Sequence, residues 1–108
     1  MSKDLIRRFE LKMYNIYRRA RSEAGYNATR YLQMLDDHGG LETVKILINS
    51  PKVSEGYTAL WERGRLDITV ETLINDNPKY HELFSKDELK IVRKRLADYQ
   101  YQPATDSR

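Results

Sequence analysis

Four groups of residues carry side chains that could do chemistry. The first lies near the N-terminus, where Arg7, Tyr14, Arg18 and Arg21 recur at helical spacing. At about 100° per residue they fall within one narrow sector of a helix, with Leu11 beside them. Arg8, Lys12 and Arg19 flank that sector, and Arg30 follows shortly after. Guanidinium forks pair with phosphate oxygens, and a tyrosine can stack on an unpaired base, so this pattern suits nucleic acid. The competing readings are a solvated face, arginines neutralised by a neighbouring helix, or a dimer contact built on Leu11 and Tyr14.

The second group is Trp61-Glu62-Arg63-Gly64-Arg65-Leu66-Asp67. As a catalytic cluster, Glu62 or Asp67 would act as general base while the arginines hold an anion. No nucleophile or metal set accompanies it. The structural reading is therefore preferred: Trp61 anchors the core, Gly64 turns the chain, Asp67 caps the next helix, and the arginines tie elements together. The third group, Gly39-Gly40, precedes a helix and could offer backbone N–H groups to a phosphate. It lacks the Gly-Lys-Ser/Thr element of a P-loop, and a tight turn explains it. The fourth group, Asp36-Asp37-His38, points its side chains in different directions around a helix, and His81 is isolated. No metal and no cofactor are expected. Lys86, Lys90, Arg93, Lys94 and Arg95 form a further basic run, read as mostly a solvated face with local ion pairs to Asp87 and Asp98.

These side chains sit on 108 residues, of which 40% are hydrophobic and 32% charged. That length suits one domain, expected over 1–101, with a polar flexible tail at 102–108. The absence of cysteine excludes a disulfide framework, a thiolate zinc site and a cysteine nucleophile. No apolar run reaches the ~20 residues that span a bilayer, and the opening MSKDLIRRFE lacks the form of a signal peptide, so a cytoplasmic protein is expected. The net charge of +3 is unevenly placed. Residues 1–31 carry eight Lys/Arg against three Asp/Glu, or +5, and the remainder carries eleven against thirteen, or −2. A basic end on a near-neutral body attracts phosphates or acidic protein surfaces, or packs against its own acidic body.

The pattern of apolar residues predicts an all-α fold, a compact bundle of five or six helices with a long helix at each end. Leu5, Ile6, Phe9, Met13, Ile16, Tyr17, Ala20 and Ala24 share one face of a helix over 4–24, closed by Gly25. Asn27 is placed to cap a second helix with Tyr31, Leu32 and Leu35 inward. A third carries Leu41, Val44, Leu47 and Ile48 and stops before Pro51. A fourth, capped by Ser54, buries Tyr57, Leu60 and Trp61. A short fifth starts near Asp67 or Thr69, and one loose turn follows between Pro78 and Phe84. Ser85 and Glu88 match a capping box for a last helix running to about Tyr101.

The middle of the chain also resembles a known family. Residues Tyr26 to Leu35, Gly39-Gly40-Leu41-Glu42-Thr43-Val44-Lys45 and the run Ser54 to Glu71 (SEGYTALWERGRLDITVE) are similar to a small, poorly characterised bacterial helical family. That family occurs alone or appended to larger proteins, some of them nuclease-like. The resemblance spans residues 26–101, and Leu-Trp-Glu-Arg-Gly-Arg-Leu-Asp is its specific part. It implies an all-α fold and a link to nucleic-acid processing, and carries over no catalytic residue. The resulting expectation is a non-enzymatic interaction module. It acts through Arg7, Arg8, Tyr14, Arg18, Arg19, Arg21 and Arg30 on nucleic acid or a nucleic-acid-processing protein. The alternatives are a protein–protein or homodimerisation module, and a small hydrolase using Glu62 and Asp67.

Overall fold

A computed structural model describes residues 3–101; the expected tail at 102–108 lies outside the described residues. The fold is all-α, with six α-helices among the described residues: α1 (Lys3–Ala24), α2 (Thr29–His38), α3 (Gly40–Asn49), α4 (Glu55–Glu62), α5 (Val70–Asn75) and α6 (Lys86–Asp98). Two 3-10 segments, Leu66–Ile68 and Pro78–Leu83, precede α5 and α6. Among the described residues, no helix is long and apolar enough to cross a membrane.

The helix ends follow from local chemistry. Gly25 and Gly64 adopt positive φ after α1 and α4, as expected of glycines that end helices. After α4, Arg65 N–H reaches Leu60 O and Gly64 N–H reaches Trp61 O, the paired bonds of a Schellman motif. Ser54 and Thr69 accept from the backbone N–H groups of Tyr57 and Thr72, capping α4 and α5. The Ser85–Glu88 capping box forms at the start of α6. Three expectations are corrected here. Asn27 does not cap α2, because its side chain accepts the Tyr17 hydroxyl at 3.0 Å instead. Asp67 caps nothing, because its carboxylate is held by Arg65. The last helix stops at Asp98 rather than Tyr101. Gln100 takes a positive φ of 59°, and Tyr101 N–H turns back to Leu96 O, so a non-glycine residue closes the same motif there.

The core forms where α1 crosses the other helices. Phe9 and Met13 are fully buried and pack with Leu35, Val44, Ile48, Ile74 and Val92. Phe9 meets Tyr80 and Phe84 edge-on at centroid distances of 5.2 and 5.7 Å. Each such pair is worth about 0.5–1.5 kcal/mol beyond area burial. Ala20 is buried with Leu60 and Ile68 in a smaller cluster under the end of α1. The glycine pair is explained by proximity rather than by phosphate. A Cβ on Gly40 would lie 2.9 Å from Glu10 Cα, so α3 can start only where its first residue has no side chain. Glu10 Oε2 then accepts the Gly40 N–H at 2.8 Å, satisfying one free donor of α3.

Two apolar residues leave the expected core. Trp61 is 46% exposed, and Ile6 is exposed as well. Trp61 lies on the outer edge of an aromatic row, meeting Tyr99 edge-on at 5.3 Å, while Tyr99 meets the buried Tyr57 at 4.9 Å. Tyr57 takes the anchoring place that the sequence pattern offered to Trp61.

Candidate functional site

Helix α1 presents its apolar face to the core, and this leaves its basic sector outward. Arg7, Arg18 and Arg21 are exposed, and none pairs with a carboxylate among the described residues. Leu11, between them on the same stripe, is 63% exposed. The other members of the sequence-derived set are placed differently. Arg8 forms an exposed i,i+4 pair with Asp4 at 3.1 Å. Such a pair is weak enough to yield to a phosphate. The Tyr14 hydroxyl donates to Asp36 Oδ1 at 2.9 Å, which raises the tyrosine's pKa and puts a carboxylate beside the middle of the stripe. The unpaired positive charge of the stripe therefore lies at its two ends, at Arg7 and at Arg18 with Arg21, rather than at Tyr14. Arg30, exposed on the first turn of α2, pairs with no carboxylate among the described residues and borders a cleft rather than the stripe.

Arg19 belongs to a different assembly. It donates to Glu23 at 2.9 and 3.2 Å and lies 3.6 Å from Asp67. Arg65 bonds Asp67 through two nitrogens at 3.0 Å and Glu23 at 2.6 Å. Four alternating charges thus join the end of α1 to the segment after α4. Hydrogen bonds from Arg19 and then Arg65 hold the Glu23 carboxyl at about 2, and the Asp67 carboxyl is lowered chiefly by Arg65. Arg63 completes the joint, donating to Ala24 O at 3.1 Å and Ala59 O at 3.0 Å while lying over the Tyr26 ring. Of the structural reading of this stretch, Gly64 turns the chain and the arginines tie neighbouring elements together, while Trp61 does not anchor the core and Asp67 does not cap a helix. Glu62 stands exposed, and Asp67 is engaged by two arginines.

The basic run of α6 is not uniformly solvated. Lys94 pairs with Asp98 at 3.1 Å on the surface, but Arg95 is only 8% exposed. Its Nη1 donates to Glu71 Oε2 and to Leu47 O, both at 3.1 Å, and its Nη2 donates to Ser50 O at 2.7 Å. Glu71 is 2% exposed on the first turn of α5. Burial pushes its carboxyl above the ordinary value in spite of Arg95. This buried pair escaped the sequence reading. Its signal was positional: Arg95 adjoins Leu96 and follows Val92 by three residues, and Glu71 sits between Val70 and the Leu73-Ile74 pair.

Among the described residues, no group of three or more His, Asp or Glu side chains could hold a metal ion. His38 ends α2, and the His81 ring Nε2 lies 2.8 Å from Ile74 O. No protein-family model matches the chain, and neither a curated protein nor a solved structure does.

Proposed function

We propose that the protein is a non-enzymatic, cytoplasmic interaction module that holds nucleic acid through the outward face of α1. The observation that carries this is the set Arg7, Arg18 and Arg21, exposed on one stripe without carboxylate partners among the described residues. These side chains would contact phosphates, which positions a strand without reading its sequence. Arg19 leaves the binding set because its guanidinium is spent on Glu23 and Asp67. Arg8 and Arg30 remain in support, and Tyr14 contributes its ring more than its hydroxyl. Membership of residues 26–101 in the small bacterial helical family they resemble, which occurs alone or appended to larger proteins, some of them nuclease-like, would point the same way. The test is the affinity for single- and double-stranded DNA and RNA as salt is raised. Duplex binding should weaken with a slope of about 0.9 per phosphate contact. A slope below two contacts' worth overturns the proposal.

A second reading rests on Leu11, whose 63% exposure amid the arginines suits a protein surface or a second copy of the chain. Light scattering of the wild type and of Leu11→Glu decides it. A dimer abolished by the substitution supports that reading, and a strict monomer at high concentration removes self-association.

A further inference from the structure

On the side of the bundle bordered by the α3–α4 connection, the helices leave an open cleft of about 510 Å³. That volume lies within the range of small-molecule sites, about 300–1,000 Å³. Its walls include Ile16, Tyr31, Met34, Leu47, Val53 and Leu60. Four of the lining residues carry charge, and they are differently placed. Arg30 and Lys52 border the cleft, both exposed and without carboxylate partners among the described residues, and Glu55 is the one exposed acid beside them. In the interior, Glu71 lines the cleft with its charge already balanced by Arg95 at 3.1 Å. Arg95 also holds the carbonyls of Leu47, Ser50 and Lys52, so the same ion pair fixes the rim.

We infer that this cleft binds an amphipathic carboxylate, with the alkyl or aryl body inside and the anionic head at Arg30 and Lys52. Charge placement selects this occupant. At the interior end the charge of Glu71 is already matched by Arg95, whose other hydrogen bonds go to backbone carbonyls, so an anion finds no free cation there and the head is directed outward. Among the exposed charged residues of the lining, two cations outnumber one carboxylate. A cationic amphiphile would meet Arg30 and Lys52 with the same sign, and an uncharged one would lose the charge-assisted bonds. The site borrows Arg30 from the supporting set of the proposed nucleic-acid surface but uses none of Arg7, Arg18 and Arg21, so its test is read independently of theirs.

The test titrates the whole chain with decanoate, decanol and decyltrimethylammonium, each below its micelle concentration. Binding is followed by calorimetry and by the Met34 methyl resonance, with circular dichroism reporting the fold. Decanoate should bind saturably at one site, shift the Met34 methyl and leave the helical signal intact. Decyltrimethylammonium should bind at least about tenfold more weakly, and Arg30→Gln with Lys52→Gln should weaken decanoate by about tenfold, the worth of one charge-assisted bond. Filling the cleft by Ala28→Trp, or by Met34→Trp followed by calorimetry should the first not fold, should abolish binding. The inference is overturned by any of three results: no saturable binding, equal affinity for the anionic and cationic chains, or binding that appears only as the helices melt.

Discussion

Replacing Arg95 with methionine removes the side chain that, among the described residues, pairs with Glu71, and which also holds three carbonyls at the end of α3 and in the α3–α4 connection. Methionine preserves most of the volume, so the loss is electrostatic. Both partners are nearly inaccessible, at 8% and 2%, which keeps solvent from rescuing the carboxylate. Breaking a buried pair from one side costs about 3–5 kcal/mol, and Arg95→Met should fall in that range. For a domain of this size the melting temperature should drop by on the order of 15–30 °C. Acid should ease the defect, because protonating the orphaned Glu71 removes its charge. The double variant Glu71→Leu/Arg95→Met should be more stable than Arg95→Met alone, with a coupling of about 1–3 kcal/mol between the sites. Urea and thermal melts of the wild type, both single variants and the double variant close the cycle. Should Arg95→Met not fold, the double variant still reads out, since it contains no uncompensated charge. A cost for Arg95→Met within about 0.5 kcal/mol, as at a surface site, refutes the reasoning. Additivity of the two substitutions refutes it equally.

Three other outcomes follow from the geometry. Burial raises the Glu88 carboxyl, but Lys45 Nζ at 2.8 Å, the Ser85 N–H and the Asn49 amide together hold it at about 2. Its folded value is thus below the ordinary 4.5, so its contribution is present above that pH and is lost as pH falls toward 2. The full effect is up to about 3 kcal/mol, and stability measured from pH 6 to pH 2 should fall less steeply in Glu88→Gln than in the wild type. Glu71 acts in the opposite sense, its raised value favouring the fold as pH falls, which is why the difference between the two proteins is the informative quantity. Gly40→Ala should cost about 1–3 kcal/mol in urea melts, because its Cβ would sit 2.9 Å from Glu10 Cα and neither helix backbone can yield. Trp61→Ala should cost well below the ~3–5 kcal/mol of a core tryptophan. Trp61 fluorescence should be readily quenched by acrylamide, since the ring is half exposed.

The helices were legible because their signals are local. Gly25, Pro51, Ser54 and the Ser85–Glu88 box act within a few residues of themselves, and Phe9, Met13 and Ala20 repeat along one face. Ser50 takes extended backbone before Pro51, as that proline demands. What stayed hidden depends on residues far apart in the chain. Glu10 meets Gly40 across 30 positions, and Arg95 meets Glu71 across 24. A charged residue beside core positions has the same composition whether it is buried or solvated, so Arg95 passed as one more surface cation. Trp61 was misplaced for a related reason. Period alone puts Tyr57, Leu60 and Trp61 on one side of α4, and only the position of Tyr99 shows which ring is innermost. Within the basic stripe of α1, spacing placed Arg7, Arg18 and Arg21 on one outward face. It could not show that Arg19 is claimed by Glu23 and Asp67 or that Asp36 takes the Tyr14 hydroxyl.

Exposed cations occur on α6 as well as on α1, so the direct measurement compares the two helices in one assay. Duplex and single-stranded binding would be followed against salt for the wild type, for Arg7→Gln/Arg18→Gln/Arg21→Gln, and for Lys86→Gln/Lys90→Gln/Arg93→Gln. All three proteins should melt alike, because every substituted side chain is exposed and outside the observed ion pairs. Loss of binding and a duplex salt slope flattened by about two to three contacts in the α1 variant, with the α6 variant near wild type, is the predicted result. Equal losses from both helices, or wild-type binding by the α1 variant, would contradict a nucleic-acid surface on α1.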